Sequence, residues 1–166
     1  METDAALAER LRLENLRRSG IRIDPQGQFI HEGEPVLHQG LREALFRWLD
    51  RLPEPDGRYI LRLDDKRYAF LDVDDTPLVV QALRFTADGQ GVTLALSDGA
   101  AEELDPRTLT IDRSGVLRCW VRGGRLEARL ANSAAATLAE KIQDTPGGPT
   151  LGLGGRAFVL SPRRPG

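Results

Sequence analysis

The same order of strand, turn and helix is written twice along this chain. At an offset of 88, Ile21, Ile23, Asp24, Gly27 and Phe29 superpose on Leu109, Ile111, Asp112, Gly115 and Leu117. Two extra residues in the second copy then move the offset to 90, where Val36 falls on Leu126, Trp48 on Leu138 and Leu52 on Ile142. The offset of 90 carries on through Leu61 on Leu151, Leu63 on Leu153, Tyr68 on Phe158 and Phe70 on Leu160. Each copy reads strand-strand-helix-strand-strand. One such unit offers a small sheet with a single covering helix, too little to close a core, whereas two can bury their apolar faces together. The pattern therefore predicts an α+β protein of two related ββαββ units sharing one core, with a linking β-hairpin and an N-terminal helix. Neither unit is expected to fold without the other.

Local signals set the expected boundaries. Residues 4–18 carry Leu7, Leu11 and Leu16 on one side of an amphipathic helix, closed by Gly20, within an N-terminal segment 1–19. The first unit spans 20–76. It has two strands around Asp24-Pro25-Gln26-Gly27, then a helix from Gln39 with Leu41, Ala44, Leu45, Trp48, Leu49 and Leu52 on one face, stopped by Pro53 and Pro55. Two more strands flank Asp64-Asp65-Lys66. Residues 77–106 form a linking hairpin and loop, and 107–161 the second unit, whose helix is capped by Asn132 or Ser133 and runs to about Ile142. Strands over 150–153 and 156–160 form its last hairpin, and 162–166 are expected to fray. In the second helix Ala135 and Leu138 replace the bulkier Leu45 and Trp48, which is how copies diverge when one alone keeps a pocket or a bulky contact.

Composition narrows the function classes. The single cysteine, Cys119, cannot form an internal disulfide, a thiolate zinc site or an iron-sulfur cluster, and its place in the Leu117, Cys119, Val121 alternation marks it as core. No run approaches the 18 or more apolar residues of a membrane span, and acidic residues interrupt the N-terminal stretch where a signal peptide is apolar. The chain is expected to be cytoplasmic, with no membrane partner. Its net charge of -2 hides an asymmetry: residues 1–106 hold 21 acidic and 13 basic side chains, residues 107–166 hold 4 and 10. Dispersed in this way, the charges suit attraction between the two halves better than a tail built for an anion.

Three groups of side chains could carry chemistry. Asp72, Asp74, Asp75, Thr76 and Pro77, with Asp64 and Asp65 on the preceding turn, gather carboxylates that bind a cation or share a proton, or simply make a turn. Their spacing is not that of an EF-hand loop. His31, Glu32, Glu34 and His38 supply metal donors, but the histidines lie seven residues apart across a Gly33 and Pro35 turn, matching no ligand motif. Arg118, Trp120 and Arg122, joined by Arg125 and Arg129, line one strand face and offer an anion or single-stranded nucleic acid a basic surface with one aromatic. The glycines at 147–148 and 152–155 lack the lysine and following helix of a phosphate loop, and no serine has a histidine partner in a nucleophile motif.

Residue order adds a resemblance. Gly27-Gln28-Phe29-Ile30-His31-Glu32-Gly33-Glu34-Pro35-Val36, the helix segment Leu45-Phe46-Arg47-Trp48-Leu49, then Asp56-Gly57-Arg58-Tyr59-Ile60-Leu61 and Val73-Asp74-Asp75-Thr76-Pro77-Leu78 resemble the bacterial domain-of-unknown-function family 1285 over about residues 20–80. The chain departs from the family pattern at Arg62-Leu63-Asp64-Asp65-Lys66, where the family carries a threonine-proline-valine-glutamate-lysine type run, and at Asp74, where it carries glutamate. The resemblance implies two α/β units with repeated motifs and a part in bacterial signal transduction. By motif position it points to His31, Asp74, Asp75 and Pro77 as a ligand site.

These readings converge on a non-enzymatic cytosolic binding or regulatory module. Its ligand-binding residues are expected among His31, Asp72, Asp74, Asp75, Thr76 and Pro77, its partner being a protein or small molecule, with no cofactor and no bound metal. The alternative is nucleic-acid or anion binding through Arg118, Trp120, Arg122 and Arg125. A metal-dependent hydrolase at His31, His38 and the aspartates stands last.

Overall fold

A computed structural model describes residues 3–6, 8, 9 and 16–163. The chain divides into two compact units, Met1–Asp75 and Thr76–Gly166. The first holds strands β1 (Arg18–Ile23), β2 (Phe29–His31), β3 (Glu34–Pro35), β4 (Leu49–Arg51), β5 (Tyr59–Arg62) and β6 (Tyr68–Val73), with helix α1 (Gln39–Trp48) between β3 and β4. They form one sheet in the order β3-β2-β1-β6-β5-β4. Every neighbouring pair is antiparallel except β1 and β6, which run parallel at its centre.

Register assigns the two faces of this sheet, because residues opposite one another point the same way. Ile23 pairs with both Phe29 and Val73, and Leu61 with both Leu49 and Ala69. These residues form the apolar face. Phe29 meets Phe46 of α1 edge-on at 4.8 Å, so the helix covers this side, with Leu45 buried on its inner surface. Arg22 pairs with both Ile30 and Asp72, and Ile60 with Phe70, which places Arg22, Asp72, Phe70 and Ile60 on the opposite face.

The second unit holds β7 (Leu78–Phe85), β8 (Val92–Leu96), β9 (Ala101–Glu103), a 3-10 turn at Pro106–Thr108, β10 (Thr110–Ile111), β11 (Leu117–Val121), β12 (Leu126–Leu130), α2 (Asn132–Ala139), β13 (Ile142–Thr145), β14 (Gly148–Leu153), β15 (Arg156–Val159) and β16 (Ser161–Pro162). Seven strands make one sheet, β16-β10-β11-β12-β7-β8-β9, and β13-β14-β15 a second. Leu117, Cys119, Val121, Leu126, Ala128, Leu130, Leu78 and Val80 share the buried apolar face of the larger sheet. The hairpin over 78–96 is thus an integral part of this unit's sheet.

Backbone detail repeats between the units. The Asp24 carboxylate accepts from the N–H groups of Gln26 and Gln28 at 3.0 and 2.9 Å, and that of Asp112 from Ser114 and Val116 at 2.8 and 3.0 Å. Gly27 and Gly115 close the two turns at φ 85° and 83°. Next, Glu32 and Arg122 both take a left-handed conformation, at φ 50° and 54°, each followed by a glycine that does the same. The first strand of each repeat pairs parallel with its last: β1 with β6, and β10 with β16. The first repeat holds three strands on either side of its helix and the second three before and four after, where two were expected.

Four boundaries differ from the sequence reading. Helix α1 ends at Trp48, and Leu49–Arg51 leave it to pair with Tyr59–Leu61, because a ladder against β5 satisfies their backbone while Leu49 stays buried. In the second unit α2 ends at Ala139, and Ile142 opens β13 opposite Leu151. The N-cap is Ala131, whose N–H still bonds Val80, so α2 starts straight from the strand without a side-chain cap from Asn132 or Ser133. Near the C-terminus Ser161 and Pro162 pair with β10, and the Arg163 N–H bonds Ile111, so the chain is held through 163. Residues 164–166 lie outside the described residues.

Of the N-terminal helix expected over 4–18, Leu7 and 10–15 lie outside the described residues. Helical backbone is present at 4–6, 8, 9 and Leu16, and β1 begins at Arg18.

Candidate functional site

The strand β6 presents Tyr68, Phe70 and Asp72 on the face opposite α1, at the two-residue repeat of an extended strand. Arginines from the neighbouring segments lie beside them. The Arg17 guanidinium sits 3.8 Å from the Tyr68 ring centre, and that of Arg58 3.9 Å from the Phe70 ring centre. Tyr68 and Phe70 meet edge-to-face at 6.0 Å. Arg22 pairs with Asp74 at 2.5 Å, and Arg62 with Asp50 at 2.9 Å.

A cavity of about 530 Å³ opens where β1 and β6 meet, lined by Arg18, Ser19, Gly20, Arg58, Tyr59, Phe70, Leu71, Asp72 and Val73. The β1–β6 register slips between Arg18, opposite Phe70, and Arg22, opposite Asp72. Such irregularities re-aim side chains and recur beside functional sites. The Ser19 hydroxyl donates to the Phe70 carbonyl at 2.6 Å and accepts from the Ile21 N–H at 3.1 Å, which fixes the slipped backbone. Arg58 donates through Nε and Nη2 to the two Asp56 carboxylate oxygens, both at 3.0 Å. That hydrogen bonding holds the Asp56 carboxyl below the usual aspartate range. The guanidinium plane over Phe70 is therefore fixed by a charge-assisted fork.

The structure separates the residues expected to form one site. Asp72 lines the cavity, whereas Asp74 turns to Arg22. His31 pairs with Ile21 and Glu34, on the helix-covered face and at its exposed margin, so it does not join the aspartates. Asp75 is half-buried at the end of the first unit. Thr76 and Pro77 are buried in the second unit, where the Thr76 hydroxyl donates to the Leu78 carbonyl at 2.6 Å and accepts from the Arg129 N–H at 3.1 Å. They serve the β7–β12 ladder. His38 is the N-cap of α1, its Nδ1 accepting from the Leu41 N–H at 3.1 Å. Among the described residues no three His, Cys, Asp or Glu side chains gather as a metal site requires.

The basic face of the second unit is internally neutralised. Arg118 is only 6% exposed and donates to Asp112 at 2.7 Å. Arg122 pairs with Asp98 and Glu102, and Arg163 grips Glu127, opposite Trp120, through bonds of 3.1 and 2.8 Å. Arg125 is exposed at the turn. Cys119 lies on the apolar side, where burial, with Glu102 and Glu127 contributing, pushes its thiol up to about 12.

No family model and no curated protein matches the chain. Two solved structures do. A DUF1285 family protein from Silicibacter pomeroyi DSS-3 superposes with a TM-score of 0.71 at 20% identity, covering 87% of this chain and 81% of that one. The chain has the DUF1285 fold. A second DUF1285 protein, from Shewanella baltica OS155, superposes with a TM-score of 0.60 at 15% identity over 73% of this chain and 91% of its own. The resemblance read from residues 20–80 thus extends, as a fold, over most of the molecule.

The residues missed by sequence reasoning are Arg17, Arg18, Arg22, Arg58, Tyr68 and Phe70. Tyr68, Phe70, Asp72 and Asp74 show a two-residue alternation in the sequence. Nothing in it told that β1 runs parallel beside β6 and brings Arg18 and Arg22 to the same face.

Proposed function

We propose that this DUF1285-fold chain is a non-enzymatic binding module whose recognition site is the β1–β6 cavity of the first unit. The observation that carries the reading is that Arg18 and Asp72, opposite charges lining one cavity, have no ion-pair partner among the described residues, while Arg22, Arg58 and Arg62 nearby are each matched to an aspartate. A concave surface with a few convergent polar groups beside an aromatic ring is the usual form of a small-molecule site. No helix among the described residues is long and apolar enough to cross a membrane. We place the module in the cytoplasm, in line with its single buried thiol.

The second unit supplies an internal comparison. By the strand registers, its counterparts of Arg22, Asp72 and Asp74 are Thr110, Ser161 and Arg163, and Val159 stands where Phe70 does. The charge and aromatic pattern of the β1–β6 cavity is thus not repeated at the equivalent strands of the second unit, and a regulatory part in bacterial signalling would follow from its occupancy. Native mass spectrometry of the full chain after incubation with a bacterial metabolite extract tests the reading. A small-molecule adduct present in the wild type and lost in Asp72→Asn is expected; no adduct, or one equally retained by the variant, overturns it.

A further inference from the structure

Asp72 and Arg18, together with the Arg58–Phe70 stack, give the β1–β6 cavity the form of a site for a ligand with unlike ends and a flat middle. Asp72 is exposed and, as a carboxylate, presents acceptors only, so the partner edge offers N–H donors. Two parallel donors satisfy both oxygens at once, the geometry that makes carboxylate pairing directional. Arg18, opposite Phe70, offers a guanidinium, which pairs with phosphate by the same fork. The same cavity holds the Arg58 plate, forked by Asp56 and backed by the Phe70 ring, a surface on which a planar heterocycle stacks.

Distances agree with this division of labour. Phe70 and Asp72 are two residues apart on one strand face, a step of about 6.6 Å. A ring lying over the Arg58–Phe70 stack turns its hydrogen-bonding edge toward Asp72, one strand repeat along the same face. The cavity volume of about 530 Å³ lies in the range of small-molecule and cofactor sites and exceeds what a free amino acid fills. Among the common bases, guanine alone has two adjacent donors, N1–H and N2–H, on its pairing edge. Adenine offers one donor beside an acceptor, which a carboxylate repels.

We propose that the first-unit cavity binds a guanine mononucleotide, with Asp72 accepting from the base edge, the Arg58–Phe70 stack beneath the ring and Arg18 on the phosphate. This rests on the binding reading above and names its ligand. Isothermal titration calorimetry of the full chain with GMP, AMP and inorganic phosphate tests it. GMP is expected to bind at least tenfold more tightly than AMP, Asp72→Asn to bring GMP down to the AMP level, and Arg18→Ala to weaken both nucleotides. Asp72 and Arg18 are surface side chains without ion pairs among the described residues, so both variants should melt as the wild type does, which circular dichroism checks. No heat with GMP at millimolar concentration, equal affinity for GMP and AMP, or a GMP affinity unmoved by Asp72→Asn overturns the proposal, as does phosphate binding as tightly as GMP. A metabolite adduct lost in Asp72→Asn but absent with GMP would overturn the nucleotide and leave the binding reading standing.

Discussion

Asp112 carries more than its turn. One carboxylate oxygen closes the loop through the N–H groups of Ser114 and Val116, and the other receives the nearly buried Arg118 guanidinium. The Arg118 hydrogen bond, with those backbone donors, holds the Asp112 carboxyl below its usual range. An aspartate with a folded pKa below its unfolded value of about 3.9 contributes stability that is fully present above that value. The contribution is lost as pH falls through the folded pKa. Asp56, Asp64, Asp88 and Asp105 are lowered too, each chiefly by a side-chain hydrogen bond, so the protein should lose stability progressively below about pH 4. In thermal melts, Asp112→Asn is expected to lower the melting temperature at pH 7, because the charge-assisted bond from Arg118 to Asp112 is lost, and to flatten the loss below pH 4. An acid slope equal to that of the wild type would contradict this assignment. The turn glycine gives a second test. Gly115 sits at φ 83° with nothing within 4 Å of a built Cβ, so Gly115→Ala meets no clash and only backbone strain. A loss of about 1 kcal/mol in denaturant unfolding is expected. At this scale the sequence was readable: the Asp-x-x-Gly turns were visible twice, since turn chemistry is local. The cavity arginines were not, since their meaning depends on which strand lies beside them.

Helix α1 shows how an element is bounded by its neighbours. The apolar spacing through Leu52 matches a helix, yet Leu49 also matches a strand, and the ladder to β5 takes it. The proline stop at Pro53 lies beyond the point where pairing has already ended the helix. At the other end His38 caps α1 through Nδ1. Histidine is a poor substitute for the usual capping residues, and no acidic residue stands in the first turn. His38→Asp should therefore stabilise the protein by several tenths of a kcal/mol, and His38→Ala destabilise it by about 0.5 kcal/mol. Both are read from urea midpoints. A stabilising His38→Ala would remove the capping role. The histidine pair that suggested metal chemistry is thereby explained by a cap and a strand end. Parallel pairing of β1 with β6 was the least legible element, because the two strands are separated by α1 and four other strands in the chain.

Across the whole molecule, duplication accounts for the plan and divergence for the site. The repeated turns, the repeated left-handed pair at 32–33 and 122–123, and the repeated parallel closure come from two copies of one backbone. Registers refine the correspondence: the last strands align at an offset of 89, Leu71 with Leu160 and Asp74 with Arg163, where the sequence pattern suggested 90. A one-residue slip of this kind exchanges the faces of a strand, so the sequence comparison of Tyr68 with Phe158 and Phe70 with Leu160 matched residues on opposite sides. With the registers corrected, the first unit holds Phe70, Asp72 and Asp74 where the second holds Val159, Ser161 and Arg163. The central claim is that the β1–β6 cavity of the first unit is the ligand site, whereas the cavities of about 520 and 560 Å³ in the second unit are lined by other segments. Amide chemical-shift mapping of the isotopically labelled full chain titrated with GMP tests it most directly. The account predicts shifts concentrated at residues 17–22, 58–60 and 68–74, saturating with GMP and needing at least tenfold more GMP in Asp72→Asn; shifts confined to 105–130 or 156–163, or none at all, would contradict it.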